Sequence, residues 1–291
     1  MTRRSKSPVP FTKSHTVWLL DGFHYAAQEV EVLSLKQMLS FGHNALDSPD
    51  KILKSARYVQ RELPKRLARR LLDLQLLPYI VVTNPHIKKV YNQYYVSFET
   101  LRRLPTVKSL EDNADFSQLL RQHLDQHAPM LDCLATGLRE CKSKELVGGC
   151  LQMDSFFDSM LRSRISRRVI AEQHLHLGNK RPAYIGTICT DLDVHESIDF
   201  AVQKTRQVCM ETYGTAPDVV VSGDPQLTIP YIPAHLDYML YELLKNAMRY
   251  GVSYAGCTGW HPLADQAQCW SDGHDGGASL RLGTGNHTRA S

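Results

Sequence analysis

An α plus α/β chain is predicted, with an antiparallel helix bundle on the N-terminal side and a short α/β unit after it. From Ala27 to about His176, apolar residues recur at helical spacing in long segments joined by short links, which is the pattern of an antiparallel bundle. After Arg181-Pro182 the texture changes: short β-branched runs alternate with helical ones in the order strand, helix, strand, strand, helix, an α/β pattern. The boundary is expected near residues 178–183, and no fixed-period repeat runs through either part.

The elements follow in order. Leu33 to Gly42 reads as a short helix stopped by its glycine. Ser48-Pro49-Asp50 caps a second helix, with Ile52, Leu53, Ala56 and Val59 at helical spacing. Pro64 is expected to interrupt it before Leu67, Leu71 and Leu74 resume the pattern up to Pro78. Asn84-Pro85 opens the next helix, where Ile87, Val90, Tyr91, Tyr94 and Phe98 share a face. Phe116, Leu119, Leu120 and Leu124 mark a further run, which Pro129 kinks or divides ahead of Leu131, Leu134 and Leu138. Gly148-Gly149 makes a break, and Met153 to Gly178 forms the last long helix of the bundle. Beyond the boundary, Tyr184 to Cys189 reads as one short strand, and Asp193 opens a helix that reaches Tyr213. Asp218 to Ser222 is expected to be a buried strand with Leu227-Thr228-Ile229 beside it, and Pro233 starts the final helix.

Composition narrows the function classes. Hydrophobic content of 43% and charged content of 22% are ordinary for a globular protein, and a net charge of +4 is too weak to imply nucleic acid without a clustered patch. Seven cysteines form no C-x-x-C pair and are odd in number, so reduced thiols are expected. No run of 18 or more apolar residues occurs, so no transmembrane helix is predicted. Residues 1–20 carry Arg3, Arg4, Lys6 and Lys13, six serines and threonines, and no acid before Asp21. That is the composition of an organelle transit peptide, with a disordered basic tail as the alternative.

The final helix holds the candidate chemistry. Glu242, Lys245, Asn246 and Arg249 stand at i, i+3, i+4 and i+7, on one stripe of a helix. Leu240, Leu243, Leu244 and Ala247 cover much of the remainder, so the helix is expected to be largely embedded. Polar groups there need a partner, and a magnesium-bound polyphosphate would supply one. The Asn246 carbonyl oxygen suits Mg²⁺, Lys245 and Arg249 suit phosphate, and Glu242 suits a general base for an attacking hydroxyl. A Glu–Lys pair and an Arg on a solvated face, with Asn246 incidental, is the other reading of the same spacing. His123 and His127 have the spacing of a helical zinc pair but no third ligand nearby, and are expected to be exposed helix residues. The run Lys65-Arg66-Leu67-Ala68-Arg69-Arg70 is expected to be a solvated basic face, with docking of an acidic partner as the alternative.

Glu242-Leu243-Leu244-Lys245-Asn246-Ala247-Met248-Arg249 resembles the N-box of the mitochondrial protein kinases that act on pyruvate dehydrogenase and branched-chain α-ketoacid dehydrogenase. Leu33-Ser34-Leu35-Lys36-Gln37 with Phe41-Gly42, Glu62 to Ala68, and Ser163 to Arg168 followed by Gln173-His174 resemble further segments of that family. The resemblance runs from about Leu20 to Arg249. It implies a regulatory bundle over residues 21–180 and, over 181–250, part of an ATP-binding domain of the histidine-kinase-like (Bergerat) fold. It also implies transfer of the ATP γ-phosphate to a serine of the E1 subunit in the mitochondrial matrix, docking on the lipoyl domain of E2, and a dimer formed through the nucleotide-binding domain. Carried over by position, Glu242 matches the general base and Asn246 the magnesium ligand, with Lys245 and Arg249 in the same box. Tyr238 departs from the pyruvate branch, where a histidine often stands, and Asp237-Tyr238 is more like the branched-chain branch. Both substrates stay open. His174 is read as structural, since the family resembled phosphorylates serine.

Residues 251–291 do not continue the resemblance. They contain no Ile or Phe, and Asp275-Gly276-Gly277-Ala278-Ser279 only imitates the D-x-G-x-G loop that would lie under adenine. Gly283-Thr284-Gly285 is too short for a phosphate lid. A changed reading frame, a retained intron or a truncated variant is the expected source of this atypical tail. Two functions therefore stand: a serine kinase impaired by loss of these motifs, or an inactive module that docks on the lipoyl domain.

Overall fold

The computed structural model describes residues 21–43, 48–143, 153–179, 181–255 and 278–281. The expected transit peptide, the Gly148-Gly149 break and the loops at 275–277 and 283–285 lie outside these residues. The chain divides into two compact units, Met1–Lys180 and Arg181–Ser291.

The first unit is helical. It contains α1 (residues 21–27), α2 (Leu35–Gly42), α3 (Pro49–Gln75), α4 (Tyr79–Val82), α5 (Pro85–Arg102), α6 (Leu110–His127), α7 (Met130–Ser143) and α8 (Met153–Leu177). Local chemistry sets several starts. Ser34 is the N-cap of α2 rather than its second residue, and it forms a capping box with Gln37 that leaves Leu33 outside the helix. Ser109 and Asp112 do the same for α6. The Asn84 side chain accepts from the amides of His86 and Ile87 at 2.9 and 3.3 Å, with Pro85 in the first turn where no amide is needed. Pro129 separates α6 from α7.

The expected interruption at Pro64 does not occur: this proline lies inside the 27-residue α3. Leu63, Leu67, Leu71 and Leu74 are buried on both sides of it, so one continuous core face holds the helix together across the lost hydrogen bond. α3 packs on α5 and α8, and α5 packs also on α7. Phe98, Leu71, Leu74, Ile87, Leu120 and Leu134 are among the fully buried side chains of the resulting core.

The α5–α7 contact is tight at Gly137. A Cβ there would lie 2.9 Å from Asn84 Oδ1, 2.9 Å from Ile87 Cδ1 and 3.0 Å from His86 Cβ. The Asn84 amide meanwhile donates to Glu140 Oε2 of α7 at 2.8 Å. Gly137→Ala is therefore expected to destabilise the bundle by about 1–3 kcal/mol in urea titrations, although alanine favours helix. A rise in the unfolding midpoint would show the contact to be looser than this.

The basic run of α3 is not a solvated face. Lys65 and Arg66 are buried, and Arg69 is half-buried. Their head groups point at backbone carbonyls of residues 26–31 and at Glu62, which supplies the partner that a buried cation requires.

The second unit begins with a hairpin, β1 (Tyr184–Ile185) and β2 (Ile188–Asp193), where one strand was expected. Gly186, at φ 64°, takes the first central position of the two-residue turn that reverses the chain. Asp193 accepts from the Glu196 amide at 3.0 Å and caps α9 (Val194–Tyr213), which Gly214 ends at φ 72°. β3 (Val219–Ser222) and β4 (Thr228–Tyr231) precede α10 (Pro233–Ala255). β4 pairs antiparallel with β2, not with β3 as expected, and β3 pairs in parallel with β5 (Ala278–Arg281). β3 is also not buried throughout: Val219 and Val221 pack toward the helices and Val220 is exposed. A strand with helices on one face alternates in this way. α10 runs on to Ala255, five residues past Tyr250. Val194, Ile198, Ala201, Leu240 and Leu244 form the core between α9 and α10. Among the described residues no helix is long and apolar enough to cross a membrane.

Candidate functional site

α10 buries a single stripe. Leu240, Leu244 and Met248, spaced by four, are at most 9% exposed. Leu243 is 65% exposed, and Met239, Ala247 and Tyr250 are exposed too. The expectation of a largely embedded helix is therefore corrected. Of its two apolar rows, α9 covers only the Leu240 row.

Glu242 and Lys245 meet. Lys245 Nζ donates to Glu242 Oε1 at 2.6 Å, with both side chains partly exposed. That hydrogen bond is the main reason the ammonium is held above its ordinary value of 10.5, more than its slight desolvation lowers it. The Glu242 charge and the nearby Tyr241 and Tyr238 add to the upward shift. Asn246 and Arg249 are both exposed, and the Arg249 guanidinium lies 5.5 Å from the Tyr250 ring centroid. One face of the helix thus offers an ion pair, a carboxamide and a guanidinium to whatever meets it. The paired Glu242 and Lys245 also satisfy each other, as on a solvated helix surface.

A metal at this place would depend on few protein ligands. No group of three His, Cys, Asp or Glu able to hold a metal ion occurs among the described residues. The exposed Asn246 oxygen is the hard, neutral donor that Mg²⁺ accepts when it keeps waters and takes its remaining oxygens from phosphate. The residues present fit such an ion.

A second concentration of polar groups lies inside the bundle. A cavity of about 50 Å³ is lined by Ser97 of α5, His123 and His127 of α6, and Arg164, Arg167 and Arg168 of α8, with leucines between them. The two histidines are not exposed. Phe116, Leu120, His123 and His127 follow one stripe of α6, and the stripe turns inward. His127 Nε2 and His123 Nδ1 stand 2.7 and 3.0 Å from the same Ser97 Oγ. Burial, aided by the charges of Arg167, His123 and Arg164, lowers His127 to about 3, and burial lowers His123 as well. Arg167 donates to the Tyr94 hydroxyl at 2.8 Å. Two neutral imidazoles and three guanidiniums make a donor-rich lining. The i, i+4 histidine spacing was its only signal in sequence, because Ser97 and the arginines join it from other helices. His174 is 3% exposed, with Nδ1 at 3.0 Å from Ser55 Oγ, which leaves no room for a phospho-acceptor role.

Comparison with known proteins agrees on one family. The family model for mitochondrial branched-chain alpha-ketoacid dehydrogenase kinase matches residues 32–189. The mitochondrial pyruvate dehydrogenase (acetyl-transferring) kinase of Arabidopsis thaliana is 35% identical over 219 residues, covering 75% of this chain and 59% of its own length. Kinase 2 of the same name from Saccharomyces cerevisiae is 30% identical, covering 77% of this chain and 48% of its own length. Isozyme 4 from Rattus norvegicus is 32% identical over 76% of this chain and 56% of its own length. The chain thus spans roughly half of the curated relatives it matches.

Proposed function

Since the chain belongs to the mitochondrial branched-chain alpha-ketoacid dehydrogenase kinase family, we propose that it derives from a mitochondrial matrix kinase that phosphorylates a serine on the E1 subunit of a 2-ketoacid dehydrogenase complex. The observation that carries this reading is the partly exposed Glu242–Lys245 pair on α10, with Asn246 and Arg249 exposed on the next turn. Glu242 takes the proton of the attacking serine hydroxyl as its oxygen bonds to the γ-phosphorus and the bond to ADP breaks. Lys245 and Arg249 contribute positive charge where phosphate oxygens lie, Arg249 through a fork that can bind two of them. Asn246 would hold Mg²⁺ through its side-chain oxygen, and the ion would supply charge neutralisation on the phosphates. Because Lys245 is bonded to Glu242 at rest, a phosphate that draws the ammonium away also frees the base.

Domains 21–180 and 181–250 then divide the work, the bundle docking on the lipoyl-bearing E2 subunit and the α/β part holding nucleotide. A second reading has one observation in its favour. Leu243, Met239 and Tyr250 stand exposed on α10, an apolar face that suits an incomplete nucleotide domain. This chain would then be a catalytically inactive module that docks on E2.

The two readings separate by calorimetry and by phosphate transfer to purified E1. The kinase reading expects micromolar binding of magnesium-ATP, weakened in Asn246→Ala, and a loss of about 10²–10⁴-fold in transfer rate for Glu242→Gln. Absence of nucleotide binding favours the inactive module. Undiminished transfer in both variants would remove the roles given to Glu242 and Asn246.

A further inference from the structure

Lys245 has a second neighbour besides Glu242. Its Nζ stands 5.1 Å from the centroid of the Tyr241 ring. Lys204 of α9, which belongs to no motif, brings its Nζ to 4.9 Å from the same centroid. One partly exposed ring at the α9–α10 contact therefore gathers two ammonium groups, one from each helix. Asp237, one helical turn before Tyr241, feels the Lys204 charge as well, although burial is the larger influence on its carboxyl.

We propose that Tyr241 is a positioning residue, whose ring holds the Lys245 ammonium beside Glu242 and also receives the Lys204 ammonium. A lysine has a flexible four-carbon stem and loses much rotamer freedom when its head group is fixed. A hydrogen bond to one exposed carboxylate restricts it weakly, since such pairs contribute little in water. The ring's electron-rich face adds a second restraint from a different direction, and its attraction does not neutralise the charge. Lys245 is thereby preset in position while remaining fully cationic. Tyr241 lies on α10, which packs against α9, so the restraint is carried by a packed helix rather than by a loop.

The inference rests on the nucleotide reading of α10 for its functional consequence, but its geometry can be tested without nucleotide. Protons of a lysine ε-methylene held over an aromatic face resonate upfield. In the wild-type chain, and in Tyr241→Phe, the Lys245 and Lys204 ε-methylene signals are expected upfield of the other lysines. In Tyr241→Leu both should return to the ordinary position, with an unchanged thermal midpoint showing that the unit is still folded. Magnesium-ATP should bind about 2- to 5-fold more weakly to Tyr241→Leu than to wild type, with Tyr241→Phe close to wild type. Lys245 signals that are the same in wild type and Tyr241→Leu would overturn the proposal. So would a Tyr241→Phe variant that behaves like Tyr241→Leu, because the hydroxyl and not the ring would then be acting. If the signals move as expected but wild type binds no nucleotide, Tyr241 still positions Lys245, and it is the kinase reading that fails.

Discussion

Glu62→Ala is expected to destabilise the bundle by about 3–5 kcal/mol, the loss that follows when one partner of a buried ion pair is removed. Glu62 is 0% exposed. It accepts from Lys65 Nζ at 2.7 Å and from the Glu31 amide at 3.2 Å, and pairs with the Arg66 guanidinium. Burial alone would raise its pKa, but the hydrogen bonds and charges of Lys65 and Arg66 outweigh burial and hold it below the ordinary 4.5. Without the carboxylate, Lys65 and Arg66 remain 8% and 5% exposed with no anion beside them. Part of the effect should be local. Lys65 donates to the Glu29 carbonyl at 3.2 Å, Arg66 to that of Glu31 at 2.6 Å, and Arg69 to those of Ala26 and Gln28 at 3.0 and 2.8 Å. The non-helical residues 28–31 are thus held to α3 by side-chain hydrogen bonds in place of a neighbouring strand. Their amides should lose protection from hydrogen exchange in Glu62→Ala before the rest of the bundle does. Glu62→Gln, which keeps the size and two of the acceptor lone pairs, should lose less. A change below about 1 kcal/mol for Glu62→Ala in urea titrations would mean that the cluster contributes little beyond what surface pairs do.

That cluster also shows where sequence reasoning stops. Helix starts were readable because their signals are local. Asn84-Pro85 and Asp193 each act on amides two or three residues away. Periodicity likewise identified the apolar rows of α5 and α6. The direction in which a polar residue faces was not readable, because it depends on partners far along the chain. Arg66 bonds to Ser166, 100 residues on, and His174 to Ser55, 119 residues back. Lys65, Arg66, His123 and His127 therefore read as exposed, and all are at least half-buried. α10 shows the same limit with apolar residues. Both the Leu240 row and the Leu243 row are visible in sequence, and only contact with α9 selects the first. At the candidate site, the Glu242–Lys245 pair follows from helical spacing, whereas Lys204 reaches Tyr241 only through the packing of two helices.

Acidification from pH 7 to pH 5 is expected to weaken the bundle by about 3–4 kcal/mol through His127 and His174, from the linkage between proton binding and folding. Both imidazoles are held neutral in the fold. Burial, with the charges of Arg167, His123 and Arg164, takes His127 from 6.5 to about 3, and burial, with Arg121, takes His174 from 6.5 to about 4. Folded values below the unfolded one mean that the unfolded chain binds these protons first as pH falls. The stability attached to the neutral rings is therefore fully present above about pH 6.5 and is lost progressively below it, until pH reaches the folded values. Each histidine contributes a slope of about 1.4 kcal/mol per pH unit inside that window. Glu62 acts in a different window, since its depressed pKa matters only below 4.5, so a loss between pH 6.5 and 5 belongs to the histidines. Urea unfolding of the bundle at pH 7, 6 and 5 measures the slope. His127→Gln and His174→Gln should each make it shallower by about 1.4 kcal/mol per pH unit, whatever they do to stability at pH 7, because neither amide titrates, and buried His123 accounts for the rest. A midpoint that stays constant from pH 7 to pH 5 in the wild-type chain would show that the rings reach water and protonate as readily folded as unfolded, which their burial beside Ser97 and Ser55 does not allow.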